Sequence, residues 1–303
     1  MASGSPSTVP NMSTSPVAGL IAEIRRYPVK SMAGENLTQA RLADQGIPGD
    51  RGWALRDEQA GEIRGAKKLP ALMRCTATYT EEPIEGAPVP VAQMTLPDGS
   101  SLNTTDPDAS AQLSKLVERE VTLWPQRPSN DKDHYRRGTP DNEDFEAELR
   151  QIFGRTPDEP LPDLSVFPPE LMEFGSPLGT YFDAFPLHIL TTASLKAISA
   201  QNPSARFDVS RFRPNLVIET DPALTGLVEA EWGGRRLKIG DAIVEVTTPT
   251  VRCVMTTQET TELPKDPSVL RTIVHDADQN LGAYARTLTA GSVRIGDEVS
   301  FVD

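Results

Sequence analysis

Cys253 stands in the run TTPTVRCVMTT, directly after Arg252. A neighbouring guanidinium favours the thiolate, the form in which cysteine acts as a nucleophile or a soft metal ligand. The strand-like run before it stops at Pro249 and resumes near Cys253, which places the thiol at the start of a strand. The same pattern fits a small buried hydrophobe, so local sequence leaves both readings open. The only other cysteine is Cys75, which is too few for a disulfide framework or for a four-thiolate zinc or iron-sulfur site.

Other candidates are suited to holding an anion. In RRYPVKSMAGE, Pro28 stiffens the approach to Lys30 and Ser31, and the small residues that follow can present backbone N–H groups; a solvated loop lysine is the alternative. Arg51 in IPGDRGWAL and the run RFRPN, with Arg211, Arg213 and Asn215, add planar guanidinium forks and an amide. Singly, each arginine is more often a salt-bridge partner, here with Asp50, Asp208 or a like neighbour. His134, His188 and His275 have no zinc-site spacing, and His188 reads as a core histidine, so none is assigned a role. There is no GxSxG, P-loop or GxGxxG, which weakens hydrolase and nucleotide-binding readings.

The elements that must position these residues are mostly short strands. Gly19 to about Tyr27 reads as a strand followed by a turn at Ser31–Gly34. LTQARLA, RGWALRD, LMRCTATYT and VAQMTLPD read as further strands, with a helical turn as the alternative at Leu69–Met73. ASAQLSKLVER, residues 109 to 119, is a helix by its apolar spacing. Residues 128–163 are rich in Asp, Glu, Pro, Arg and Asn, with a short helix at EDFEAELRQIF, and read as an exposed acidic and Pro-rich connection. FPLHILTTASLKAISAQN pairs a strand with a helix capped by Thr191 or Thr192. NLVIET, RRLKIG, AIVEVTT, VRCVMTT and SVRIGDEVSFV return to strands. The expected fold is mainly β with α (α+β), a β-barrel with a few helices.

The chain carries 43 acidic and 30 basic residues, a net charge of −13, which disfavours nucleic acid and anionic membrane surfaces. Any local cationic cluster is therefore informative. No apolar run reaches bilayer length, and the opening MASGSPSTVPNMSTSPVAG lacks the basic and apolar regions of a secretion signal. A soluble, cytoplasmic protein with a disordered lead-in at residues 1–18 is expected.

Six motifs in order, YPVKSM at 27–32, GDRGWAL at 49–55, FPLHILTTASL at 185–195, RFRPNLVI at 211–218, VRCVMTT at 251–257 and NLGAYA at 280–285, resemble the MOSC family. Their order and spacing are similar to its two-domain members, which include the mitochondrial amidoxime-reducing component and bacterial relatives. The resemblance implies a MOSC N-terminal β-barrel domain at 19–127, the connection at 128–163 and a MOSC β-barrel domain at 164–303. It implies a molybdenum-molybdopterin cofactor with Cys253 as metal ligand and catalytic residue. Lys30, Ser31, Arg51, Arg213 and Asn215 would hold the pterin and its phosphate, with Arg252 offsetting negative charge. Thr191, Thr192 and Ser194 match a stretch that opens a helix near the cofactor, and Tyr284 matches an aromatic close to it.

The implied activity is an oxidoreductase that reduces N-hydroxylated substrates, amidoximes and N-hydroxylated bases. The chain has no cysteines to spare for a cluster. Electrons are therefore expected from an external reductase of flavoprotein or ferredoxin type. The alternative in a different class is a sulfur or molybdenum-cofactor carrier using Cys253; a plain binding module on two barrels is a third. Val251 and the loop QETTELPKD depart from the amidoxime-reducing pattern, which bears on substrate preference more than on the cofactor.

Overall fold

A computed structural model describes residues 17–303. Of the expected lead-in, residues 1–16 lie outside the described residues, while Val17 and Ala18 already belong to the first strand. The first half runs β1 Val17–Arg26, β2 Glu35–Leu37, β3 Gln39–Leu42, β4 Trp53–Asp57, β5 Glu62–Arg64, β6 Thr76–Tyr79, β7 Ala92–Thr95, β8 Ser101–Asn103, α1 Ala109–Val117 and β9 Val121–Pro125. Two helices, α2 Lys132–Tyr135 and α3 Phe145–Phe153, lie in the connection. The second half runs β10 Leu187–Thr191, α4 Thr192–Gln201, α5 Val209–Phe212, β11 Leu216–Thr220, β12 Arg236–Ile239, β13 Ala242–Val251, α6 Pro267–Asp276, β14 Asn280–Thr289, β15 Gly291–Arg294 and β16 Glu298–Val302.

Seven strands close into a barrel in the order β1, β11, β10, β14, β13, β12, β16 and back to β1, leaving no edge within that ring. The β10–β11 pair is parallel and joined through α4 and α5; the other pairs of the ring are antiparallel. Inward-facing Ile21, Ile24, Leu187, Ile189, Leu216, Ile218, Leu237, Val244, Val246, Ala283 and Ala285 fill it. The first strand of the chain thus completes a barrel whose other six strands lie beyond residue 186. A second unit packs the sheets β5–β4–β9 and β6–β7–β8 around Leu55, Leu72, Met94, Leu102 and Leu113. Val29 bridges to Trp53 of β4 and Ala33 to Thr76 of β6, so residues 29–33 link the two sheets of that unit.

The helical turn at Leu69–Met73 is a 3-10 turn at Pro70–Arg74. SVRIGDEVSFV divides into β15 and β16 around Gly296, whose φ of 88° suits glycine. The connection is less exposed than its composition suggests. Tyr135 packs with Ala54, Ile63, Phe174 and Tyr181, and Arg155 and Glu159 are each 5% exposed. Polar composition predicts exposure only when the charges lack partners, and here they have them. Lys68 pairs with Glu148, and Arg64 donates to Asp141 at 2.8 Å. Among the described residues no helix is long and apolar enough to cross a membrane.

Candidate functional site

One cleft gathers residues that are far apart in sequence. The turn after β1 supplies Lys30 and Ser31, and the turn before β4 supplies Arg51. The loop before β10 supplies Asp183 and Phe185, and β10 itself supplies His188. The α5–β11 turn contributes Arg211, Phe212, Arg213 and Asn215. The end of β13 and the turn beyond it contribute Thr250–Cys253 and Met255, and β14 contributes Tyr284.

Three of these residues sit in left-handed backbone without being glycine: Ser31 at φ 74°, Arg51 at φ 53° and Arg213 at φ 56°. Such conformations cost roughly 1 kcal/mol or more each and persist where surrounding contacts dictate them, as at ligand clamps.

Asp50, which is 4% exposed, ties the turns together. Its carboxylate accepts from the Tyr27 N–H at 2.8 Å and from Asn215 Nδ2 at 2.9 Å, and it pairs with Arg51. Burial works against the Arg51 charge, but Asp50 overrides it and raises the guanidinium above its ordinary range. Asn215 accepts from the His188 N–H at 3.1 Å, so both ends of its amide are engaged within the fold. Ser31 Oγ accepts from the Ala66 N–H at 2.8 Å. Lys30 Nζ donates to the Tyr181 carbonyl at 2.7 Å and to Asp183 at 2.8 Å. Burial lowers the Lys30 ammonium; for Asp183, burial pushes upward, yet Lys30 and Lys67 hold its carboxyl well below the usual range.

Two guanidinium groups retain unused donors. Arg213 lies 4.1 Å from the centre of the Tyr27 ring and donates through Nη1 to the Met32 carbonyl. Its buried Nη2 has no partner among the described residues, and burial with Arg51 nearby lowers its pKa to about 10. Arg252 donates through Nη2 to the Phe212 carbonyl at 3.0 Å, and its buried Nε is likewise unpartnered. His188 Nε2 stands 3.5 Å from Arg252 Nη1, and burial, then that cation, holds the imidazole well below its ordinary pKa, hence neutral at pH 7. Lys30, Arg51, Arg213 and Arg252 thus line a cleft whose one carboxylate among its described lining residues is Asp183, in a chain of net charge −13, while Arg211 at the same wall spends its guanidinium on the carbonyls of Arg206, Thr256, Gln258 and Pro264. Concentrating cations this way is unfavourable unless an anion neutralises them.

Cys253 is half-buried at this wall, but not at a strand start. β13 ends at Val251, after register shifts between Val246 and Thr248 and between Pro249 and Val251. Cys253 then caps a 3-10 turn, Val254–Thr257. The Thr256 N–H and hydroxyl donate to the Cys253 carbonyl at 3.2 and 3.1 Å. That local threonine bonding overrides the β-preference of the Val and Thr residues.

A single thiol beside a cationic cleft, on a barrel closed by the first strand, agrees with the family models that match the chain. They are the MOSC N-terminal beta barrel domain over residues 18–126 and the MOSC domain over residues 178–300. The chain belongs to the MOSC family. That family is associated with molybdenum-cofactor binding. No curated protein matches the chain. Similar solved structures include the YUAD protein from Bacillus subtilis, 13% identical, covering 94% of this chain and 95% of that one, at a TM-score of 0.44. YiiM from Geobacillus stearothermophilus is 15% identical over 39% of this chain and 55% of its own, at a TM-score of 0.29. YiiM from Escherichia coli is 15% identical over the same shares, at a TM-score of 0.30.

Of the residues singled out in the sequence, this MOSC barrel brings together Lys30, Ser31, Arg51, Arg213, Asn215, Arg252, Cys253 and Tyr284. Thr191, Thr192 and Ser194 do not line the cleft. Thr191 Oγ1 donates to Glu229 at 2.6 Å, Ser194 Oγ donates to the same carboxylate, and Thr192 Oγ1 lies 3.3 Å from Thr220 Oγ1. The Thr191 and Ser194 hydroxyls close the start of α4 on a buried acid, and that of Thr192 meets the neighbouring strand. The cleft wall also includes Arg211, a candidate anion donor in the sequence, and Asp183, Phe185 and His188, which had no site role there. The motif FPLHIL held a signal for His188, since β10 is buried at every position and a histidine there needs a polar neighbour. Gly282 in NLGAYA makes room for that histidine: with φ 83°, a Cβ there would meet His188 Nε2 at 2.3 Å.

The donor set fits an anionic molybdenum-pterin group. Arg213 Nη2 and Arg252 Nε, without a partner among the described residues, have donors to spare for such a group, and Cys253 would supply a soft ligand. Among the described residues no three His, Cys, Asp or Glu side chains cluster as a metal site, so the other donors to a metal at Cys253 would come with the pterin.

Proposed function

We propose that the chain is a molybdenum-molybdopterin-dependent oxidoreductase that reduces N-hydroxylated small molecules, amidoximes and N-hydroxylated bases, with electrons from a separate reductase of flavoprotein or ferredoxin type. The observation that carries this reading is the half-buried Cys253 at the wall of a cleft lined by Lys30, Arg51, Arg211, Arg213 and Arg252. When bound, the cofactor supplies two-electron reduction of an N–O bond, with two protons taken up and water released.

The protein's part is to bind and orient. Cys253 anchors the metal as thiolate. Arg213 offers its unpartnered Nη2 to the phosphate, beside Lys30 and Arg51, which Asp183 and Asp50 fix in place. Arg252 offsets the negative charge of the thiolate and the group it holds. Neutral His188 accepts a hydrogen bond without adding to the positive charge. Tyr284, flanked by Phe185 at 5.2 Å between ring centres, walls off one side from water.

The test is expression with and without cofactor biosynthesis, followed by molybdenum and pterin quantification and dye-linked turnover of an amidoxime. Near-stoichiometric molybdenum and pterin are expected, with turnover abolished in Cys253→Ala although that variant still folds. Wild-type-like turnover from Cys253→Ala overturns the assignment. A persulfide mass shift on Cys253 in a protein devoid of molybdenum overturns it in favour of sulfur transfer.

A further inference from the structure

Behind the cleft, the peptide that carries Arg252 into Cys253 is held from the far side by residues outside the family's matched segments or outside the cleft. The Arg252 N–H donates to the Gln279 carbonyl at 2.8 Å. The Arg252 carbonyl accepts from Arg155 Nη2 at 3.1 Å, and Arg155 Nε donates to Gln279 Oε1 at 2.9 Å. These three bonds close a ring through Arg155, Gln279 and Arg252. Both peptide groups of Arg252 are therefore fixed, one residue before the thiol.

Arg155 lies in the connection between the matched segments, 97 residues before its partner. It is 5% exposed and has no carboxylate in direct contact; its Nη1 donates to the Phe153 carbonyl. Burial and the neighbouring Arg271 lower its pKa to about 10, which leaves it charged at pH 7. Gly154, at φ 62°, lets the connection approach the turn beyond the thiol: a Cβ there would lie 3.4 Å from Val254 Cβ and 2.8 Å from Leu270 Cδ2. Glu159 secures the segment by pairing with Arg271 of α6 and accepting from the Thr156 N–H at 2.9 Å. Asp278 and Gln279, at φ 43° and 68°, are both held in left-handed backbone at the point where Gln279 meets Arg252 and Arg155. Strain of this kind is sustained by contacts that select one geometry.

We propose that Arg155 is a positioning residue for Cys253, acting with Gln279 to fix the Arg252–Cys253 peptide so that the thiol meets the molybdenum group in one orientation. The connection between the two matched domains is on this view a brace for the site. The proposal rests on the molybdenum-binding reading of Cys253, but the bracing itself is measurable without the cofactor. A fixed ligand geometry matters because small misplacements of a reacting group cost large factors in rate.

The test compares Arg155→Met and Arg155→Lys with the unchanged full-length protein. In protein prepared without cofactor, Arg155→Met is expected to speed hydrogen exchange of the 251–257 amides at least tenfold while strands of the barrel exchange as before. Arg155→Lys, which keeps the charge and one donor, is expected to recover part of that protection. In loaded protein, Arg155→Met is expected to lower kcat about tenfold at unchanged KM and to alter the Mo(V) paramagnetic spectrum. Unchanged exchange at 251–257 overturns the proposal, and so does exchange accelerated equally across the whole chain, which marks a general structural role. Unloadable wild-type protein defeats the molybdenum reading and with it the positioning role; the exchange data then report separately on whether the brace exists.

Discussion

Strand β10 has a buried polar cluster at each end, about 10 Å apart by strand rise, and the two ends do opposite things. At His188 the neighbours are cations with donors left over: Arg213 Nη2 and Arg252 Nε are buried and have no partner among the described residues. At Thr191 the neighbours form a closed set, in which the Glu229 carboxylate, 1% exposed, accepts from Thr191 Oγ1, the Thr191 N–H and Ser194 Oγ. Burial of polar groups is common to both. What separates a binding site from a structural cluster is whether the fold itself satisfies the donors and acceptors it buries.

Emptying the closed cluster should cost the fold most. Glu229→Ala leaves two hydroxyls and a backbone N–H without their acceptor, and a stability loss on the order of 3 kcal/mol is expected from denaturant titration. Glu229→Gln keeps an acceptor and is expected to lose much less. Neither variant should change the molybdenum and pterin content of the folded fraction, and a loss of cofactor in step with stability would erase the distinction between the two ends.

At the other end the signature reverses. Arg213→Met is expected to weaken cofactor retention ten- to a hundredfold, about 1.5–3 kcal/mol for a charge-assisted bond. The melting temperature of the cofactor-free protein should hold or rise, because a buried charge lacking a full set of partners is removed. A fall in that melting temperature with cofactor binding intact would make Arg213 a structural residue like Thr191.

The smallest expected effect is in the pH dependence, where the ends carry opposite signs. For His188, burial and then Arg252 depress the folded-state pKa, while the unfolded chain takes up a proton near pH 6.5. The unfolded state then binds more protons, so this group's contribution to stability is lost as pH falls below about 6.5. For Glu229, burial raises the folded-state pKa against the donated hydrogen bonds, while the unfolded carboxyl ionises near 4.5. Here the folded state binds more protons, so stability is lost as pH rises above that value. Each slope is at most about 1.4 kcal/mol per pH unit. Melting temperatures between pH 4.5 and 8 should show His188→Asn losing the first slope and Glu229→Gln the second; identical profiles for both variants and the parent would remove the electrostatic part of the contrast.

The strand-rich architecture is legible in the sequence, because alternation and turn residues act locally, and α1, α4 and the short helix in the connection follow from spacing and caps in the same way. The sequence also set which residue types were available: two thiols, Cys75 and Cys253, each directly after an arginine, and Lys30, Arg51 and Arg213 in runs rich in turn-forming residues. The tertiary structure decided which of them meet. Local preference misplaced Cys253 on a strand, since the Thr256 bonds that turn the chain there compete with the sheet. It could not separate His188 from Thr191, three residues apart on one strand, because their partners, Arg252 and Glu229, arrive from just beyond the end of β13 and from the turn before β12. Nor could it show that a polar connection delivers Arg155 to the back of the thiol. Those outcomes depend on which donors and acceptors remain unsatisfied after the barrel closes, and that is a property of the packed molecule.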